Sequence, residues 1–231
     1  MISRESLSAA RDVIDALAGG PVPDWEGVEA SLVEHRLRAG EPIPAAAGQR
    51  STSSATDFFL VIDGVLQVKV IDLSGSARTV NFATGGDLMA SAPAIAGGGT
   101  TPELARDLPF TTFLKGAARA RSETYVITAL TNATVVQFDG ASLAARAETS
   151  LPWAKVFATA YRLYALFMRR ERDRMRLTPQ ERYRSFLRDY GDFHRVIPQK
   201  MVADYLGISE VGMSRIAARV RNELAQKDPP D

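Results

Sequence analysis

Between residues 202 and 220 the chain reads VADYLGISEVGMSRIAARV, where hydroxyls and guanidinium groups are the side chains best able to do chemistry. An arginine presents a planar fork of donors that matches the paired acceptors on a guanine edge or on a phosphate. Arg215 and Arg219 carry such forks, and Ser209 and Ser214 carry hydroxyls. Glu210 brings a carboxylate that would accept from a cytosine amino group or repel a phosphate. Val211, apolar among them, suits contact with a thymine methyl. Just upstream, Gln199 and Lys200 suit phosphate contacts, which position a protein on a duplex without reading its sequence.

Such groups are useful only on a scaffold that aims them. Two short helices crossing at a tight turn need a small residue at the crossing, a residue able to turn left-handed, and apolar residues tying both helices down. Ala203 fits the crossing and Gly207 the turn, while Val202, Leu206, Ile208, Met213 and Ile216 form the apolar set. Ser209 falls where the second helix needs an N-cap. Glu210, Ser214, Arg215, Arg219 and Arg221 are left facing outward. The pattern is a helix-turn-helix suited to double-stranded DNA, although a generic helical hairpin would satisfy part of it. For Arg219 and Arg221 the plainer reading is a solvated helix face.

Upstream, Thr178-Pro179-Gln180-Glu181 is a capping box that opens a helix running to about Tyr190 and stopping at Gly191. Pro198 opens the first helix of the pair. Before them, residues 151–175 form a long helical pattern. Val156, Ala160, Leu163, Phe167 and Arg170 recur at spacings of four, three, four and three, a coiled-coil-like seam. Trp153, Phe157, Tyr161 and Tyr164 widen the apolar surface. The expected interface of a two-fold dimer is therefore Trp153, Val156, Phe157, Ala160, Leu163, Tyr164 and Phe167; a helix lying on its own domain is the alternative.

Residues 31–139 read instead as short strands. FFLVIDGVLQV has a hairpin signal at Asp63-Gly64, ARTVNFATGGD follows a Ser74-Gly75-Ser76 turn, and TYVITALTNATVVQFD pairs two strands around Thr131-Asn132. Many short strands imply a sandwich or barrel, hence an α+β chain. Ahead of it, Leu7, Ala10, Val13, Ile14 and Leu17 keep helical spacing. The expected divisions are an N-terminal helix (1–22), a β domain (23–148) with an insertion near 91–122, a dimerisation helix (149–176) and a DNA-binding domain (177–231).

Composition excludes several classes. The chain of 231 residues is 45% apolar and 24% charged, as ordinary globular proteins are. Without cysteine there are no disulfides, thiolate-held clusters, Cys-zinc sites or Cys nucleophile. Two histidines, His35 and His194, are too few for a histidine-rich metal centre. No metal or cofactor is expected. The carboxylates are scattered and no nucleophile–base pair shows itself, so an enzyme is not expected. No run approaches the roughly 18 apolar residues of a membrane span, and the N-terminus lacks a signal peptide's apolar core. A cytoplasmic protein with no membrane partner is implied. The net charge of +1 conceals an asymmetry: residues 161–231 hold 15 Lys and Arg against 10 Asp and Glu, the remainder 13 against 17. The basic part is the one with the helix-turn-helix.

Over about residues 30–224 the chain resembles the Crp/Fnr family of bacterial transcription regulators. LTPQERYRSFLRDY followed by IPQKMVADYLGISEVGMSRI looks like that family's winged helix-turn-helix. RLRAGEPI, FFLVIDGVLQV and FATGGDLM are similar, more loosely, to its cyclic-nucleotide-binding β-roll, a double-stranded jelly roll. The resemblance implies a homodimer on a palindromic operator, with recognition helices entering successive major grooves about 34 Å apart. It makes Arg215 the recognition arginine, and Ser214-Arg215 matches the Fnr branch. Val211 and Gly212 replace the family's usual glutamate and threonine, so its familiar targets are not implied. RNA polymerase as a partner is left open, as is activation against repression.

The β-roll departs further. The Gly-Glu pair that holds a cyclic nucleotide's ribose falls at Ala90 and Ser91, and the phosphate-binding Arg-Ser pair at Glu123 and Thr124. A carboxylate where the phosphate-pairing arginine belongs repels the ligand. Control by cAMP is therefore not expected, and the effector is unknown or absent. The rival reading is a cyclic-nucleotide-dependent regulator using Arg119 or Arg121 after a slip of a few residues. A cupin-like metal enzyme is a remote third, since the barrel offers His35 alone.

Overall fold

Helix α1 (Arg4–Ala18) begins at Ser3, whose side chain accepts from the Ser6 N–H, and ends at Gly19 in the left-handed region. Its spacing is the expected one: Ala10 and Ile14 are buried, with Leu7, Val13 and Leu17 packed beside them. The computed structural model describes residues 2–43, 57–72, 74–90 and 124–227. These fall into two units, the first ending at Ala160 and the second beginning at Tyr161 and taking in Arg78–Val80.

In the first unit α1 and α2 (Trp25–Glu29) precede seven strands: β1 (Val33–Leu37), β2 (Phe58–Asp63), β3 (Val65–Ile71), β4 (Ala77–Thr84), β5 (Leu88–Ala90), β6 (Thr124–Ala129) and β7 (Ala133–Phe138). Helix α3 (Gly140–Thr149) follows, and then α4 (Leu151–Arg174), whose residues from Tyr161 on belong to the second unit. One sheet has the order β1-β7-β2-β5 and the other β4-β3-β6, making an α+β chain.

Two expected hairpins prove to be corners. The Asp63-Gly64 turn carries the chain from β2 in one sheet to β3 in the other, and Thr131-Asn132 carries it back from β6 to β7. The corners lie against each other. Val65 N–H donates to Thr131 Oγ1 (2.9 Å), and Leu130 N–H donates to the Val65 carbonyl (2.8 Å). Gly64 sits at φ 93°, where a Cβ would meet the Asn132 carbonyl oxygen at 2.5 Å, so only glycine fits. A turn dipeptide signals a reversal, whereas partner choice depends on contacts far away in sequence.

The strand alternation explains why FFLVI is apolar without interruption. Phe59 and Val61 join Leu66, Ala129 and Val135 in one cluster. Leu60, Val136 and Phe138 turn to the other face, where α1, Trp25 of α2, Leu143 of α3 and Trp153 of α4 cover them. A strand covered on both faces has no polar side to show.

The second unit is helical. After α4, Thr178 and Glu181 form the expected capping box, with Glu181 Oε2 accepting from Thr178 N–H at 2.8 Å. They open α5 (Pro179–Tyr190). A 3-10 turn (Gly191–Arg195) leads to α6 (Gln199–Leu206) and α7 (Glu210–Lys227). No strand occurs among this unit's described residues after α4, so the wing that the resemblance implies is not found in them. The α5–α6 connection is a 3-10 turn closed by local bonds such as Val196 N–H to the Phe193 carbonyl (3.1 Å).

Candidate nucleic-acid interface

The α6–α7 pair is built as the residue pattern demands. Val202, Ala203, Tyr205 and Leu206 bury one face of α6. Gly207 then turns left-handed (φ 62°, ψ 42°), and Ile208 N–H closes the turn on the Ala203 carbonyl at 2.9 Å. Ser209 caps α7, its Oγ accepting from Gly212 N–H at 3.2 Å. Gly212, out of place by the family pattern, has a local reason: a Cβ there would lie 3.0 Å from that same Oγ.

Met213, Ala217 and Val220 bury α7 at spacings of four and three. The opposite face is open: Glu210, Val211, Ser214, Arg215 and Arg219 are all exposed, Val211 by 65%. Arg215 and Arg219 stand one turn apart on it. Gln199 and Lys200 are exposed at the start of α6. Lys200 Nζ lies 3.3 Å from Glu210 Oε1, a pairing that neutralises the carboxylate at the head of α7. Ser214 Oγ donates to the Glu210 carbonyl (3.2 Å), so in this state its hydroxyl serves its own helix. Arg221 leans back, its Nε donating to the Ala217 carbonyl (3.4 Å).

Helix α5 holds this pair from behind. Arg182 donates to the Leu206 carbonyl at the end of α6, and Arg184 and Gln180 both reach Glu223 on α7. Deeper in, Arg174 of α4 meets Asp189 of α5 and Tyr205 of α6. Burial, reinforced by Tyr190 and Glu171 nearby, pushes the Tyr205 phenol above its usual range and keeps it protonated. This network is not visible in the sequence. Arg174 lies in the run RRERDR, where nothing distinguishes the buried arginine from the solvated ones.

The expected dimer surface divides. Trp153 is 1% exposed and Val156 is buried with it in the core of the first unit, and the Trp153 indole N–H donates to the Pro23 carbonyl at 3.1 Å. Phe157 packs edge-on against Phe58, ring centroids 5.6 Å apart. These three serve their own domain and leave little for a partner, because the first turns of α4 cover β2 and β7. Ala160 is half-buried at the change. Beyond it Tyr161, Leu163, Leu166 and Met168 of α4 are exposed. Of the expected seam residues beyond Ala160, Leu163 is exposed and Phe167 half-exposed.

Of the expected effector positions, Ala90 ends β5 in one sheet and Thr124 opens β6 in the other. Ser91, Glu123, Arg119, Arg121 and the rest of the insertion lie outside the described residues. His35 Nε2 is 2.7 Å from Gln137 Oε1, and the Gln137 amide donates to Asp57 (3.0 Å). Among the described residues no group of three His, Asp or Glu is placed to hold a metal ion, and no helix is long and apolar enough to cross a membrane.

No protein-family model and no curated protein matches this chain. Solved structures do match. FixK2 from Bradyrhizobium japonicum superposes with a TM-score of 0.56 at 18% identity, over 83% of this chain and 85% of its own. A cyclic nucleotide-binding domain containing protein from Listeria monocytogenes EGD-e gives 0.53 at 14% identity, over 93% and 91%. A protein from Eubacterium rectale ATCC 33656, assigned as a transcriptional regulator of the Crp/Fnr family, gives 0.50 at 15%, over 87% and 88%. The chain has the fold of these proteins, which bears out the resemblance at the level of architecture.

Proposed function

We propose that this chain is a homodimeric transcription regulator that reads a palindromic DNA site through α6 and α7 and does so without a cyclic nucleotide. The observation that carries the reading is the α6–Gly207–α7 turn with its apolar face buried and Val211, Ser214, Arg215 and Arg219 exposed along one side. Arg215 is the base-reading residue, by its bidentate fork on guanine, and Val211 is placed for a thymine methyl. Gln199, Lys200 and Ser209 contact phosphates, and Lys200 gives up Glu210 when a phosphate replaces it.

Dimerisation is supported by α4. Leu163 and Leu166, three residues apart on one face of the helix, are 49% and 54% exposed, and Tyr161, on the opposite side, is 57% exposed. The Leu163 and Leu166 face is an exposed apolar stripe, and a second copy of α4 laid against it would cover it. Independence from cyclic nucleotide rests on Ala90 and Ser91, which offer the ligand's ribose no carboxylate, and on Glu123, which offers its phosphate no counter-charge.

The test is selection of random duplex DNA by purified protein with no nucleotide added. The expected product is a palindrome with half-sites one helical turn apart. Enrichment only on addition of cAMP would overturn the independence, and enrichment of a single undivided half-site would overturn the dimer.

A further inference from the structure

Arg174 is the one buried arginine among the described residues, 5% exposed at the end of α4. Three helices meet on its guanidinium. Nη2 lies 2.5 Å from Asp189 Oδ2 on α5 and 3.1 Å from Glu171 Oε1 on α4 itself. Nη1 donates to Glu171 Oε2 (3.2 Å) and to the Tyr205 hydroxyl on α6. Tyr205 passes the chain of bonds on, its hydroxyl donating to Glu171 Oε2 at 2.8 Å, while its ring lies 5.4 Å from the Arg174 guanidinium. Ser185 Oγ and Arg170 complete the shell around Asp189.

Stability is a poor explanation for this arrangement. Taking an arginine and two carboxylates out of water costs about as much as their attraction returns, and apolar side chains of like volume often do as well. A guanidinium does what apolar packing cannot: its two Nη groups donate in fixed directions and meet Glu171, Asp189 and Tyr205 together at one mutual angle, whereas packed side chains allow helices to roll. The angle matters because of where the node sits. Only Met175, Arg176 and Leu177 separate α4 from the Thr178 cap of α5, and Tyr205 stands two residues before the Gly207 turn that aims α7.

We propose that Arg174 is a positioning residue for DNA recognition, fixing the angle between the end of α4 and the helix-turn-helix so that two copies present their α7 helices at a set separation. The proposal rests on the dimeric reading above. It predicts a defect in binding two half-sites together, with each half-site still read normally.

The experiment uses full-length protein and duplexes bearing the selected palindrome, one half-site with the other scrambled, and palindromes lengthened or shortened by one or two base pairs. Arg174→Met keeps the side-chain length and removes the fork, and Tyr205→Phe removes one hydroxyl and keeps the ring. For Arg174→Met the expected result is half-site affinity equal to wild type, a palindrome advantage reduced about 10- to 100-fold, and a flattened preference for spacing. Tyr205→Phe should shift both readouts in the same direction by less, and it remains informative if Arg174→Met does not fold. Wild-type advantage and spacing preference in a folded variant would overturn the proposal. So would half-site and palindrome binding falling together with the folded fraction, the mark of a purely structural role. Wild-type protein that gains nothing from a second half-site would overturn the dimeric reading first, leaving Arg174 nothing to position.

Discussion

The two units of this protein are held together by different physics. In the first, the deepest side chains are Leu60, Val61, Leu66, Val136, Phe138 and Trp153, and its side chains cohere chiefly by burial, which has no direction. In the second, Phe186, Leu206 and Met213 form an apolar centre, but charged groups bridge its helices: Arg174 to Asp189, Arg182 to the Leu206 carbonyl, Arg184 to Glu223. Burial makes a container, and it tolerates small slides. Directional bonds make a frame, which suits a part whose task is to hold α7 at an angle. Substitutions should therefore damage the first unit by volume and the second by geometry.

The largest effect belongs to volume. Trp153→Ala removes the largest fully buried side chain and orphans the Pro23 carbonyl, and should cost about 3–5 kcal/mol in chemical denaturation. A loss below about 1 kcal/mol would mean that Trp153 is turned toward a partner after all, and that the first unit is not held by the burial of its largest side chain. At the other extreme of exposure, Arg215→Ala should leave unfolding almost unchanged. On the selected palindrome it should cost about 1–3 kcal/mol and relax one base position, with random-sequence DNA little affected. Equal losses on both DNAs would reassign Arg215 to a phosphate.

How much of this was legible in the sequence follows the same divide. The helix-turn-helix could be read residue by residue because each requirement is local: Ala203, Gly207 and Ser209 lie within seven positions, and their roles follow from backbone geometry. The capping box at Thr178 was legible for the same reason. Strand pairing was not. Asp63-Gly64 announces a turn, but whether β3 pairs with β2 or with β6 depends on residues 53 to 63 positions downstream. The long seam misled differently. Val156 and Leu163 keep one spacing, yet the first is buried in its own domain and the second is bare, because periodicity reports a face and not what covers it. The Arg174 node lay hidden in a run of charges for want of any local signature.

A backbone test of the frame is Gly207→Ala. The new Cβ would meet nothing closer than 3.5 Å, so the cost is conformational alone, about 1 kcal/mol for an L-residue at φ 62°. Because the turn aims α7, DNA affinity should fall by more than this loss of stability accounts for. A fall no greater than the folded fraction predicts would show that α5 and its arginines, rather than the turn, set the pose of α7.

The smallest effect tests a directional bond to a charged group in the first unit. Glu34 on β1 accepts from Ser3 N–H at 2.9 Å, at the start of α1. That main-chain bond, opposed by burial and helped by the Ser6 and Ser3 hydroxyls and by Arg36, lowers the carboxyl from its ordinary 4.5 to about 2. A carboxyl whose folded pKa is depressed stabilises the native state above its unfolded pKa, and the contribution fades as the pH falls through the folded value. Glu34→Gln should therefore cost about 1 kcal/mol at neutral pH, the scale of one such bond. Its difference from wild type should shrink steadily as the pH falls from about 4.5 toward about 2. A difference that stays constant over that range would mean the glutamate contributes shape alone, and that α1 is held to the first unit entirely by the burial of Ala10 and Ile14.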